Sequence, residues 1–220
     1  MKVITLFLVF GLLVLAGLSL DAGETGGTPN EPRSSGALSA ADALNSFQTE
    51  PGLRVELVAA EPLTASPCAV AWDEGGRIFV AENRGYPTGG HNGQAVGVVA
   101  MLEDTNDDGV MDKRTEFATG LTFPNGVMPW RGGCIVTCAP DVFYFKDTDG
   151  DGKADVKEIL LTGFATNQST QLRVNKPMLA PDGWVYLASG LSGGKITSPK
   201  RPNDPPLELK GDIRFQPDTG

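Results

Sequence analysis

Four aspartates within nine residues form the stretch best equipped for chemistry. Asp147, Asp149, Asp151 and Asp155 fall at positions one, three, five and nine of residues 147–158, with Gly152 at position six and Glu158 at position twelve. This spacing suits a loop wound around a hard, oxygen-seeking cation such as calcium. The glycine permits the sharp turn, and the Lys153 carbonyl adds a ligand. Without a cation, charges this close repel one another. A metal-free Asp-Gly turn accounts for only the last Asp and Gly of the run. A second copy begins at Asp104 and places Asn106, Asp108, Gly109 and Asp112 at the same positions. It has Thr115 where the other has Glu158, so the acid common to both, at position nine, is expected to close each site.

The flanks decide what holds these loops. A helix–loop–helix hand needs an amphipathic helix on either side. Residues 141–146 are instead aromatic and β-branched, and residues 156–161 reach Gly163 too soon for a helix. Both flanks read as strands, so Glu158 begins the second strand rather than joining the site. Strands and turns are expected throughout from Leu53 onward. Residues 53–58 alternate, residues 68–72 and 77–81 form a hairpin, and residues 133–138 and 184–188 repeat its second half. Glycine, at 28 of 220 residues, suits many tight turns.

Repetition sets the architecture. Asp104 to Asp147 and Gly120 to Gly163 are each 43 residues apart, and the hairpin glycines Gly76, Gly133 and Gly183 recur at 57 and 50. A period of this size built from short strands is the signature of propeller blades. The expected class is all-β, with residues 50–220 forming a β-propeller of three to four blades. That is either a small propeller or an incomplete one whose other blades are missing. Before it, residues 1–20 read as an export signal, with an uncleaved anchor as the alternative. Residues 21–38 read as a disordered tether, and residues 39–47 as a short helix capped by Ser39.

A net charge of −9 disfavours nucleic acid as a partner. Cys134 and Cys138 lie on one face of a strand about 13 Å apart, too far to bridge, and with Cys68 they read as small core residues. No Cys-x-x-Cys-His occurs, so no c-type haem attaches to this chain. His91, the one histidine, reads as a solvated loop residue.

Six segments together carry a resemblance: Val55-Glu-Leu-Val-Ala-Ala-Glu-Pro62, Ala81-Glu-Asn-Arg-Gly-Tyr-Pro87, Leu102-Glu-Asp-Thr-Asn-Asp-Asp-Gly109, Leu121-Thr-Phe-Pro-Asn-Gly-Val127, Leu172-Arg-Val-Asn175 and Pro181-Asp-Gly-Trp-Val-Tyr186. They resemble the N-terminal propeller of the exported, membrane-bound dehydrogenase-like proteins of planctomycetes and verrucomicrobia. In that group a c-type haem domain commonly follows. More distantly, the chain is similar to the soluble quinoprotein glucose/sorbosone dehydrogenases, six-bladed propellers that hold pyrroloquinoline quinone and calcium on one face. The resemblance implies oxidation of a sugar or alcohol and electron transfer to a cytochrome c domain not present in this chain. It departs at one point. Those enzymes carry a histidine base about nine residues before the proline of the Pro-Asp-Gly hairpin, and here that neighbourhood holds Gln171, Leu172 and Arg173. Oxidising a carbinol requires a base for the hydroxyl proton.

Residues suited to line a binding face are Asn83, Arg84, Asn125, Arg173, Asn175 and Lys176, all in inter-strand loops or at strand ends. Arg84 and Arg173 are expected to hold a carboxylate, or each is a turn residue or an inter-blade ion pair. Two functions stay open. One is an exported oxidoreductase module of the pyrroloquinoline quinone type. The other is a calcium-stabilised propeller that binds carbohydrate or protein without catalysis.

Overall fold

The computed structural model describes residues 36–90 and 93–220. The expected export signal at 1–20, most of the tether and His91 lie outside the described residues. No helix among those described is long and apolar enough to cross a membrane. The chain divides into two compact units, Met1–Leu57 and Val58–Gly220. The first carries α1, Ala40–Ser46, where the Ser39 hydroxyl accepts the Asp42 amide and so satisfies one free N–H of the first turn.

The second unit is built from antiparallel strands. β1 (Pro67–Trp72), β2 (Ile78–Glu82), β3 (Gly97–Glu103) and β4 (Lys113–Leu121) form one sheet in chain order. β5 (Gly126–Trp130), β6 (Gly133–Cys138), β7 (Asp141–Lys146) and β8 (Val156–Phe164) repeat that meander. β9 (Asn175–Leu179) and β10 (Val185–Ala188) begin a third sheet. β11 (Gly194–Thr197) and β12 (Leu207–Glu208) then extend the second sheet beyond β8, and β13 (Ile213–Phe215) returns to pair with β10. The first strands of the three meanders are neighbours, β1 beside β5 and β5 beside β9.

Apolar burial explains the stacking. Phe79, Val99, Phe117 and Leu121 of the first sheet share a core with Val127, Val136, Phe143 and Phe145 of the second. Ile135, Val142 and Leu160 of the second sheet meet Val185, Leu187 and Phe215 of the third. Strands β2 and β6 are buried at every position, so they read as continuous apolar runs rather than alternating ones. β4 and β8 match closely. In both, the ladder to the preceding strand slips at the same place, leaving Phe117 and Leu160 as the extra residues of a bulge.

Three expectations need correction. Residues 53–58 join no strand. Their alternation fits a sheet face, but a ladder also needs a neighbouring strand, and of this stretch Val58 offers its carbonyl only to the Met111 amide, at 2.8 Å. The second hairpin turns on Arg131 and Gly132, both with positive φ, rather than on Gly133. Gly133 is required for another reason, since a Cβ there would stand 2.0 Å from the Phe145 carbonyl oxygen. Cys68 is not a core residue. It is exposed, unlike Cys134 and Cys138, while its Sγ turns back to the Ala81 and Pro124 carbonyls at 3.2 and 3.1 Å. Local desolvation pushes its thiol up to about 11.

Candidate functional site

The meanders give the sheets two distinct ends. At one, Glu103 faces Lys113, Lys146 faces Val156 and Leu179 faces Val185. This hairpin end carries loops 104–112 and 147–155. At the other, Glu82 faces Val98, Gly126 faces Thr137 and Asn175 faces Ala188. This crossover end carries the connections between sheets. Every acidic-loop residue therefore lies at the hairpin end, and every binding candidate at the crossover end.

The two acidic loops are the same object. At position one, Asp147 Oδ1 accepts the Gly150 amide at 2.7 Å, and its Oδ2 accepts Gly152 at 2.8 Å. Asp104 takes Asp107 at 2.8 Å and Gly109 at 2.7 Å. Position three accepts the amide of position five, through Asp149 and Asn106. Position five accepts that of position seven, so Asp151 takes Lys153 at 2.7 Å and Asp108 takes Val110 at 2.8 Å. Positions four and six both have positive φ: Asp107 and Gly109 in one loop, Gly150 and Gly152 in the other. These donated amides hold the Asp147 and Asp104 carboxyls below their usual range, chiefly through Gly150 and Gly109 respectively. Oxygens of Asp147, Asp149 and Asp151 all lie within 4.8 Å of one another.

Position nine plays a part that the spacing did not reveal. Asp155 Oδ2 accepts the Thr148 hydroxyl at 2.7 Å and its amide at 3.2 Å. Asp112 does the same for Thr105, at 2.9 and 3.1 Å. The threonine at position two was the available signal, since it occurs in both copies. Glu158 lies within β8, opposite Tyr144, and pairs with Lys200 Nζ at 3.0 Å, away from the loop carboxylates. The amide of position eight docks each loop onto the preceding segment. Met111 donates to Val58, and Ala154 donates to Phe117 in β4, both at 2.8 Å. The second loop thus rests on the first sheet, with Gly152 against Thr115.

At the crossover end the candidates differ in what remains open. Arg84 is already engaged, its Nε and Nη2 donating to Glu82 Oε2 at 2.9 and 2.6 Å. Glu82 is fully buried, and it also accepts Arg114, the Thr64 hydroxyl and the Ala65 amide. Sequence reading missed this cluster, because nothing local marks Glu82 as an acid inside the sheet. Asn125 accepts the Thr137 hydroxyl at 2.8 Å. Asn175 donates to the Arg173 carbonyl at 3.2 Å, and Asn83 Oδ1 is buried without a partner. Lys176 is exposed, with φ of 53° at the irregular start of β9. Arg173 is buried, with Nη2 on the Thr166 carbonyl and its guanidinium over Phe123. Loops from different sheets meet here, since Tyr86 bonds Gln171, and Thr170 reaches the Pro87 carbonyl at 3.5 Å.

Residues 39–220 match a family described as a domain of unknown function, DUF7133. No curated protein matches the chain. Among solved structures it is similar to the Trichoderma reesei Carbohydrate-Active Enzymes Family AA12 protein in its calcium structure, at 14% identity and a TM-score of 0.46 over 69% of this chain and 40% of that one. The iodide structure matches at 16% identity and 0.45, over 67% and 35%. An oxidoreductase (glucose dehydrogenase) from Thermus thermophilus matches at 14% and 0.45, over 71% and 46%. The chain spans less than half the length of each of these structures.

Proposed function

The chain belongs to the DUF7133 family, and we propose that it forms successive blades of an exported β-propeller, braced by calcium at one end and binding a small molecule at the other. The observation that carries this is the equivalence of loops 104–112 and 147–155, hydrogen bond for hydrogen bond, at one end of consecutive sheets. The donor sets fit calcium: carboxylates and, in the first copy, an amide oxygen, in the oxygen-only company that this ion takes. Because the second loop docks on β4, an ion there braces one sheet against the next.

The activity we assign is that of an oxidoreductase module acting on a sugar or alcohol, with pyrroloquinoline quinone as cofactor and a c-type haem domain as electron acceptor. The quinone, when bound, takes up the electron pair that leaves the carbinol carbon. The residues fit this group in part. Arg173 and Lys176 are cations at the crossover end with no carboxylate against them, whereas Arg84 is held by Glu82. No histidine stands among the described residues of that end, so no proton-transfer step is assigned. The calcium loops lie at the opposite end and serve the fold rather than the cofactor.

With no histidine among the described residues of that end, the second reading is a propeller that binds carbohydrate or protein without oxidising it. The two separate in one assay. The chain is incubated with calcium and pyrroloquinoline quinone, quinone binding is followed by fluorescence, and dye reduction is measured with a panel of sugars and alcohols. Saturable quinone binding with substrate-dependent dye reduction supports the oxidoreductase module. Absence of quinone binding at saturating concentration removes it and leaves the binding propeller.

A further inference from the structure

One cation at the crossover end is buried with no carboxylate set against it among the described residues. Every other described arginine has a carboxylate within ion-pair distance: Arg54, Arg77, Arg84, Arg114, Arg131, Arg201 and Arg214. Arg173 has none, although at 6% exposure it is the arginine that most needs one. Its Nη2 donates to the Thr166 carbonyl at 2.9 Å, its guanidinium lies 5.0 Å from the Phe123 ring centroid, and its Nε is buried with no partner. A carbonyl dipole and an aromatic face ease the loss of water but bring no net negative charge. A buried charge left uncompensated is strongly unfavourable, and so is a buried N–H without an acceptor.

We propose that Arg173 anchors a site for a small carboxylate ligand at the crossover end. A carboxylate meets both deficits at once, because its oxygens accept from a guanidinium edge and its single charge matches the single cation. A phosphate dianion would bring twice the charge of this one cation. A neutral hydroxyl would fill Nε and leave the charge unbalanced. The site sits where the β4–β5 connection, bearing Phe123, meets the segment that follows β8, bearing Thr166. The Tyr86 and Gln171 contact joins further loops at this end. Arg173 is one of the cations offered above to the quinone, so this inference deepens that reading at the same end, and probes that contain no quinone separate the failure of one from the failure of the other.

The test is a titration of the chain followed through its arginine Nε–H resonances in 1H–15N spectra. The probes are sodium acetate, acetamide as the neutral isostere, and sodium chloride at matched ionic strength. The Arg173 signal is identified by its contacts with the Phe123 ring protons. Acetate is expected to move that signal saturably at roughly millimolar concentration, as one charge-assisted contact allows. Sodium glucuronate should act likewise, and glucose, acetamide and chloride should not. Arg173→Lys keeps the charge but loses the planar fork, and should weaken acetate binding by about tenfold or more. Should that variant fail to fold, the acetate and acetamide comparison on the native chain decides alone. A linear drift identical for acetate, acetamide and chloride would overturn the site.

Discussion

At the scale of single residues, the acid at position nine and the acid at position twelve separate cleanly. Asp155 caps the Thr148 hydroxyl and amide inside the loop, whereas Glu158 faces Lys200 from within β8. The spacing of aspartates was legible because each oxygen sits at a fixed offset along a short loop. The partner of position nine was not, because a hydroxyl two residues into a loop has no sequence signature until two copies are compared. The expected outcome for Asp151→Ala is loss of most of the calcium-dependent rise in melting temperature. Glu158→Gln should leave that rise intact and shift stability by less than about 1 kcal/mol, as for an exposed ion pair. A thermal melt with calcium and with chelator checks both, and a large loss of the calcium response in Glu158→Gln would move the closing ligand to position twelve.

At the scale of elements, strands were legible where burial on both faces produced unbroken apolar runs, as in β6, or where aromatic residues clustered, as in β7. Residues 53–58 misled because alternation reports which face a side chain takes and says nothing about whether a neighbouring strand is there. The Gly120 and Gly163 pair, a repeat marker in the sequence, proves to be structural in the second copy. Gly163 has φ of 100°, and a Cβ there would fall 2.0 Å from the Lys195 carbonyl oxygen in β11. Gly120 also has positive φ but faces open space. Gly163→Ala should therefore destabilise the protein by at least about 2 kcal/mol, from strain at positive φ together with the clash against β11. Gly120→Ala should suffer only the strain component. Urea unfolding of the two variants side by side measures the difference, and equal losses would mean that β11 yields without cost.

At the scale of the whole molecule, the 43-residue period anticipated consecutive meanders and placed the acidic loops at equivalent turns. It did not anticipate the extension of the second sheet by β11 and β12, because strands of four and two residues leave too little pattern to read. Nor did it show that the acidic loops and the binding candidates occupy opposite ends, a consequence of strand direction that only the pairing register fixes. Under the proposed function, that separation would make calcium a brace between sheets and leave the crossover end to the ligand. Isothermal calorimetry of the chelator-stripped chain tests this most directly. Two calcium ions per chain are expected, falling to one in Asp104→Ala and to one in Asp147→Ala, with the loss at Asp147 lowering the melting temperature further because that loop alone rests on β4. Absence of saturable binding at millimolar calcium in a folded chain would contradict the account.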